Sequence, residues 1–408
     1  MLPANAIRMS SLGLWPGRAS IVMDTCRICE ALLEPPVFQA PPPSISSICT
    51  LIPAPAVIHA CRKCGHIQSP NLPSIEAFYD TEYRISLATD GYDQLYDMAD
   101  GKPLFRAEHQ ARLVAATCAI VPGARILDYG AAKAVTLRRI ASEHPGVACC
   151  VYDVSQDYQS AWQEWIPADH QAVYELPLRW ERTFDLVTAH FVLEHVAEPV
   201  KILRDIASVL KPDGRVFILV PDLISNPGDL VVVDHVNHFT ESSLTQAFGL
   251  AGLKIERLER NQYRGALLAV ASLSARGAPN AAPDILQRDL SDVVEIAAFW
   301  EGARRIISQQ APSLATGKMA IYGAGFYGTF IAAALDGRAT PECFVDRNPF
   351  VQAAPHLGVS VIDPDSLPGD ITTVVAGLNP KIARSVLELW KSEIGRPDLR
   401  IVYLDSPV

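Results

Sequence analysis

The sequence has no apolar run approaching the ~18 residues that a membrane-spanning helix requires. It is also short of positive charge: 35 Lys and Arg stand against 45 Asp and Glu, a formal net charge of -10, which argues against a general nucleic-acid binder. The first 22 residues lack the pattern of a signal peptide, because charges are sparse and the apolar stretch is broken by Trp15-Pro16-Gly17-Arg18. These shortages lead us to expect a cytoplasmic protein, monomeric or weakly homo-oligomeric, with no nucleic-acid or membrane partner. Residues 1–22 are expected to be a disordered extension or an over-extended gene start, since organised sequence begins just after Met23. What the chain does have is length and apolar content. At 408 residues it is too long for one ordinary domain, and 49% hydrophobic residues suffice for sizeable cores.

Cysteine is not scarce. There are nine, an odd number, and four of them form two CxxC pairs, Cys26/Cys29 and Cys61/Cys64, with 31 residues between the pairs. In a chain without an export signal this favours a metal over disulfides. Each CxxC knuckle places two thiolates on one side of a tight turn, and two knuckles complete a tetrahedral zinc site. Residues 23–75 are rich in Pro and poor in helical periodicity, so such a staple would hold a segment with little core of its own. Four thiolates leave no open position, which makes the expected zinc structural. A lost metal site or a redox dithiol are the alternatives, and His66 and Cys49 are expected to be bystanders. Residues 76–105 carry an aromatic, polar run with Tyr79, Tyr83, Tyr92 and Tyr96. It reads either as packing between domains or as part of a substrate lid.

Residues 106–278 read as an α/β domain with a doubly wound sheet. Strands are expected at Arg125 to Asp128, Ala148 to Asp153, Phe184 to Ala189, Val216 to Val220, Leu253 to Leu258 and Ala266 to Ser272. Val200, Leu203, Ile206, Ala207 and Leu210 recur at helical spacing, and Pro212-Asp213-Gly214 supplies a turn. Ligands of such sheets bind at the carboxyl ends of the strands. There Asp128 ends one strand, Gly130 permits a sharp turn close to a ligand, and Asp153 ends the next strand, where a carboxylate can accept from a ribose diol. Residues 279–408 read as a smaller Rossmann-like domain. Its long helix over 283–310 is followed by a strand and by Gly323-Ala324-Gly325-Phe326-Tyr327-Gly328, with Asp346 closing a second strand.

The segment from Phe184 to Asp222, with Glu194-His195 in its loop, resembles the central part of class I S-adenosylmethionine (SAM) dependent methyltransferases. In that family the glycine loop is Asp/Glu-x-Gly-x-Gly-x-Gly, whereas here it is Asp128-Tyr129-Gly130-Ala131-Ala132-Lys133-Ala134. Two glycines are alanine, and the side chains stay small. The resemblance implies SAM as cofactor, with Asp128, Gly130, Ala132, Asp153 and Glu194 as its candidate contacts. The order of paired cysteines, methyltransferase core and C-terminal Rossmann-like domain further resembles the three-domain sugar C-methyltransferases, which act on nucleotide-linked deoxy-keto-sugars. That resemblance implies proton abstraction beside a ketone, an enolate, and its attack on the SAM methyl. The family's Tyr-x-Glu-His-x-x-Tyr-Phe-Ser run matches Val232 to Thr240, which puts His235 on the base, Asp234 on its acidic neighbour and Val232 where the family has Tyr. His195 falls on a second family histidine and Tyr83 on a family tyrosine. The C-terminal glycine loop would then frame the nucleotide-sugar site. Bound NAD or a purely structural role are the alternatives for that loop. His195 could instead bond loop backbone near the cofactor, His235 could order its loop, and His235-x-x-His238 could be half of a metal site. For the whole chain, an O- or N-methyltransferase on a sugar precursor and a non-catalytic binder on a degenerate core stay open.

Overall fold

The computed structural model describes residues 25–72, 93, 95–99, 102–260, 262–274 and 281–405. Five short strands open the described chain: β1 (Phe38–Ala40), β2 (Ser44–Ile45), β3 (Leu51–Ile52), β4 (Ala56–Ala60) and β5 (Ile67–Gln68). A hairpin of β6 (Leu95–Ala99) and β7 (Lys102–Phe105) leads into the helix Arg106–Thr117. A seven-stranded sheet follows, made of β8 (Arg125–Tyr129), β9 (Ala148–Asp153), β10 (Gln171–Val173), β11 (Phe184–His190), β12 (Leu210–Pro221), β14 (Leu253–Glu259) and β15 (Ala266–Leu273). The two-residue strand β13 (Asn237–His238) lies outside it. The order is β10-β9-β8-β11-β12-β15-β14, with β15 antiparallel to both of its neighbours. The sheet is therefore mixed.

Alternation along the strands supplies both faces of this sheet. Ile126, Phe217 and Leu219 join one buried cluster with Leu137, Ile140 and Trp162, whereas Leu127, Val216, Ile218 and Val220 join another with Leu203, Ile206 and Phe248. Each fully buried aliphatic side chain contributes roughly 1.5–3 kcal/mol relative to exposure. Cys26, Ile28, Cys61 and Cys64 belong to the same cluster as the second face, so the cysteine knuckles are continuous with its core.

The expected strand boundaries agree with these elements to within one residue, with one difference. Pro212-Asp213-Gly214 does not separate helix from strand but lies within β12. Phe184 pairs with Leu210 and Leu186 with Arg215, so the register jumps there. Gly214 is required at this bulge, because a Cβ would stand 2.8 Å from the carbonyl oxygen of Phe184. The edge strand β10 has only three residues and no apolar run, so periodicity did not reveal it.

The helix Pro283–Ala315 is longer than expected, and Pro312 falls in its last turn, where it removes one i→i−4 hydrogen bond but only three helical residues follow. Beyond it, β16 (Met319–Tyr322), β17 (Cys343–Val345), β18 (Val361–Ile362), β19 (Thr373–Ala376) and β20 (Arg400–Val402) form an all-parallel sheet of order β18-β17-β16-β19-β20. Among the described residues no helix is long and apolar enough to cross a membrane.

Candidate functional site

The loop at the carboxyl ends of β8, β9 and β11 is built around Gly130. Its φ is +73°, and a Cβ there would stand 2.5 Å from Val192 Cγ2. Ala132 and Ala134 hold φ of 44° and 55°, the left-handed backbone that a glycine adopts freely and an alanine adopts at a cost. The loop thus keeps a glycine's conformation without the glycines. Asp153 fastens it: Oδ2 accepts from the Ala132 N–H at 2.8 Å and Oδ1 from the Ser155 N–H at 3.1 Å. Each oxygen retains a lone pair for an incoming hydroxyl. Asp128 is buried, accepts from Thr188 Oγ1 at 2.9 Å, and is pushed up to about 7 by burial, the Asp153 charge adding to the effect. His190 ends β11 at the same rim. Both of its ring nitrogens are buried without a hydrogen-bond partner among the described residues, and burial lowers it to about 3.

Beyond this loop lies a histidine cluster. The rings of His195 and His235 meet edge-on with centroids 4.8 Å apart. His235 Nδ1 is 2.5 Å from Asp229 Oδ1, and His238 Nδ1 is 2.8 Å from Asp229 Oδ2, so one buried carboxylate serves both rings. Burial pulls His235 down, but the Asp229 charge and hydrogen bond, with Asp234 and Glu194 nearby, raise it to about 9. Asp229 is held well below the usual carboxylate range, because its two histidines outweigh its burial. Glu194 is 1% exposed; burial pushes it up to about 7, and His235 offsets part of that. His195 is lowered to about 4 by burial and then by the His235 charge.

The structure brings His235, His195 and Glu194 together: one ligand atom from each lies within 4.8 Å of the others. It turns Asp234 elsewhere. The Asp234 carboxylate accepts from Ser47 N–H at 2.7 Å and Ser47 Oγ at 2.5 Å, and only its backbone carbonyl faces His195 Nδ1, at 3.3 Å. The acidic partner of His235 is Asp229, six residues away in the 227–231 turn. Sequence reasoning missed it because the matching run begins at Val232. His238 bonds Asp229 and Ser69, at 3.2 Å from Ser69 Oγ, and does not join the cluster of His195 and Glu194. Tyr83 lies outside the described residues.

The four paired cysteines converge. Cys26 Sγ and Cys64 Sγ are 3.6 Å apart, and Cys29 Sγ and Cys61 Sγ 3.5 Å. Thiolates around a tetrahedral zinc with bonds near 2.3 Å stand about 3.8 Å apart, so the donor set fits that ion. His66 stays outside this group and approaches Asn237 Oδ1 at 3.1 Å.

The cysteine module and the histidine loop share a sheet. β13 pairs antiparallel with β5, so Asn237 faces Gln68 and His238 faces Ile67 in the order β1-β4-β5-β13. Arg27 donates to the carbonyls of Ser69 at 2.7 Å and Val236 at 2.5 Å, and Asn237 donates to the carbonyls of Leu193 and Val196. The histidines of both turns are thereby referenced to one β-ladder. From the other side, Trp300 Nε1 donates to Pro227 O at 2.7 Å, and Phe326 lies where a Gly228 Cβ would meet it at 3.4 Å. The C-terminal part thus supports the turn that carries Asp229.

With this geometry in place, the likeness to known proteins is specific for one part of the chain. Residues 104–258 match the family model described as a methyltransferase domain, and this stretch is a class I SAM-dependent methyltransferase domain. The chain is 34% identical over 129 residues to a ubiquinone biosynthesis O-methyltransferase of Xanthomonas campestris pv. campestris (strain B100), covering 29% of this chain and 53% of that protein. A protein of the same name from Xanthomonas axonopodis pv. citri (strain 306) is 31% identical over 128 residues, with the same coverage. The chain spans about half the length of the curated relatives it matches. Among solved structures, a SAM-dependent methyltransferase from Mesorhizobium loti is similar with a TM-score of 0.34 and 18% identity, over 40% of this chain and 97% of that one.

Proposed function

We propose that the protein is a SAM-dependent methyltransferase that methylates carbon beside the ketone of a nucleotide-linked deoxy-keto-sugar. The observation that carries this reading is the buried Asp229–His235 pair, set beyond the glycine loop and against His195. Asp229 takes the Nδ1 side of the ring; with His235 raised to about 9, Nε2 accepts the proton from the carbon next to the carbonyl in the unprotonated fraction, which grows as pH rises toward 9. SAM, when bound, would supply the methyl group to the carbon so deprotonated and would leave as S-adenosylhomocysteine. SAM would lie along Gly130, Ala132 and Asp153, with the Asp153 carboxylate on the ribose diol and Asp128 beneath the loop. Zinc in the Cys26, Cys29, Cys61 and Cys64 cluster is structural in this reading: its work is to hold β5, and through it β13. The C-terminal glycine loop would frame the nucleotide-sugar.

The experiment is solvent deuterium exchange beside the carbonyl of nucleotide-linked keto-sugars, without SAM. Exchange in the wild type that falls by about 100-fold or more in His235→Gln is expected. No exchange with any keto-sugar, alongside methyl transfer from labelled SAM to a hydroxyl, would replace this reading with O-methylation. The O-methyltransferase names of the curated relatives favour that second reading, in which the same Asp229–His235 pair would take the hydroxyl proton.

A further inference from the structure

The histidine cluster contains a carboxylate that the proton-transfer chemistry leaves unused. Glu194 is 1% exposed, and its Oε2 is buried with no hydrogen-bond partner among the described residues. A buried, unpaired carboxylate oxygen is expensive unless it meets a cation or a hydrogen-bond donor. Its other oxygen, Oε1, stands 4.0 Å from His195 Nε2.

Both imidazoles beside it are oriented from behind. His235 Nδ1 is taken by the Asp229 carboxylate, and His195 Nδ1 faces the backbone carbonyl of Asp234. This outer arrangement is how proteins prepare metal-binding histidines: a carboxylate or carbonyl fixes the tautomer and leaves Nε2 as the donor atom. Two imidazole nitrogens and one carboxylate, all within 4.8 Å of one another, form a set that suits transition-metal dications rather than magnesium or calcium. With metal–ligand bonds of about 2.1 Å, ligand atoms around a tetrahedral ion stand about 3.4 Å apart. A small inward movement of each side chain closes the difference.

We propose that Glu194, His195 and His235 form a second metal site, separate from the four-cysteine cluster, that binds a divalent transition-metal ion. The inference rests on the reading of His235 as the base, and it adds a consequence: the lone pair that binds the metal is the one that takes the proton. Occupancy of this site and proton abstraction by His235 exclude each other.

The test uses the full-length protein with its four-cysteine site already filled. Cobalt(II) is added by equilibrium dialysis, bound metal is counted by elemental analysis, and the visible spectrum of the added ion is recorded. The wild type is expected to take up a second equivalent with a nitrogen/oxygen spectrum free of thiolate-to-metal bands. Glu194→Gln keeps the shape of the side chain and removes its charge, so it should weaken that uptake at least tenfold while retaining the first equivalent. Asp229→Asn should weaken it roughly 10–100-fold by loosening the orientation of His235. A wild type that stops at one equivalent overturns the proposal, as does a second equivalent unchanged in Glu194→Gln, His195→Gln and His235→Gln. Deuterium exchange at the keto-sugar, measured on the same samples, separates the two levels. Exchange that falls as the second equivalent binds supports both the metal site and the base. Exchange that rises with it leaves the metal site standing and removes His235 as the free base.

Discussion

In the central sheet, Asp153 at the end of β9 accepts from the Ala132 N–H at 2.8 Å and the Ser155 N–H at 3.1 Å. In the C-terminal sheet, Asp346 just past β17 accepts from the Ala324 N–H at 3.0 Å and the Asn348 N–H at 2.9 Å. The two units share a plan: a strand, a loop of small residues, a helix, and an acid at the end of the neighbouring strand that ties the loop down. They differ at the switch point. At and after the end of β11 the chain delivers His190, Glu194 and His195, and the 227–238 stretch adds Asp229 and His235. After β19 it delivers Gly377-Leu378-Asn379. There the loops close on each other, so that a Cβ on Gly323 would stand 2.2 Å from Gly377 O and one on Gly328 1.9 Å from Gly323 O. One topology therefore yields a strand end surrounded by buried titratable groups and, in the C-terminal unit, a glycine contact sealed by backbone. The loop fingerprint Gly323-Ala324-Gly325-Phe326-Tyr327-Gly328 serves close packing at least as well as it would serve a phosphate.

The largest effect should come from the element that only the central unit possesses. The cysteine module supports the histidine loop through β5 and β13, and structural zinc in small peptides is worth about 10–16 kcal/mol of folding free energy. Cys61→Ser should reduce bound zinc to well under one equivalent and abolish exchange at the keto-sugar. Proteolysis should then cut within 25–72 first, and protection of the C-terminal sheet should persist. Equal loss of protection in both sheets would break the contrast.

The matched acids test it next. Asp153→Ala should weaken SAM binding in calorimetry by about 10- to 150-fold, the weight of one charged hydrogen bond, whereas Asp346→Ala should leave SAM affinity unchanged. A comparable loss from Asp346→Ala would place a cofactor contact in the C-terminal unit.

Asp128 gives a pH signature that belongs to the central sheet alone. In the unfolded chain this carboxyl ionises near 3.9, and in the fold burial holds its proton up to about 7. Between these values the unfolded state binds fewer protons, so stability falls as pH rises from about 4 to about 7, by at most about 1.4 kcal/mol per pH unit. Asp128→Asn should flatten that slope in chemical denaturation across this window, and an unchanged slope would show that Asp128 ionises normally in the fold.

The smallest effect concerns the alanines in left-handed backbone. Ala132→Gly should stabilise the protein by about 0.5–1 kcal/mol by relieving the strained φ, net of the glycine's greater entropy in the unfolded chain. A loss of stability on this substitution would mean that the Ala132 methyl packs usefully in the loop.

Much of the sheet was legible because its strands are apolar runs bounded by Gly, Asp and Pro, and Asp128, Gly130 and Asp153 fall where such strands end. The cysteine cluster was legible because CxxC is a local geometry. Asp229 was not, because nothing local distinguishes it from Asp234. One aims at the histidines and the other at Ser47 only because β13 pairs with β5 and the 227–231 turn rests on Trp300. His190 and the unpaired oxygen of Glu194 were equally invisible, since burial of a polar atom is a property of its surroundings.

By itself the sequence determined which segments become strands and helices, where the small-residue loop falls and which cysteines can meet, because these follow from side-chain periodicity and spacing along one chain. Only the tertiary structure decided which carboxylate serves His235, how Glu194 comes to face two histidines, and why one of two similar loops is packed by a side chain and the other by backbone. Those outcomes depend on segments up to 209 residues apart, such as Arg27 and Val236, meeting in one place. There, burial and mutual charge set what each group can do.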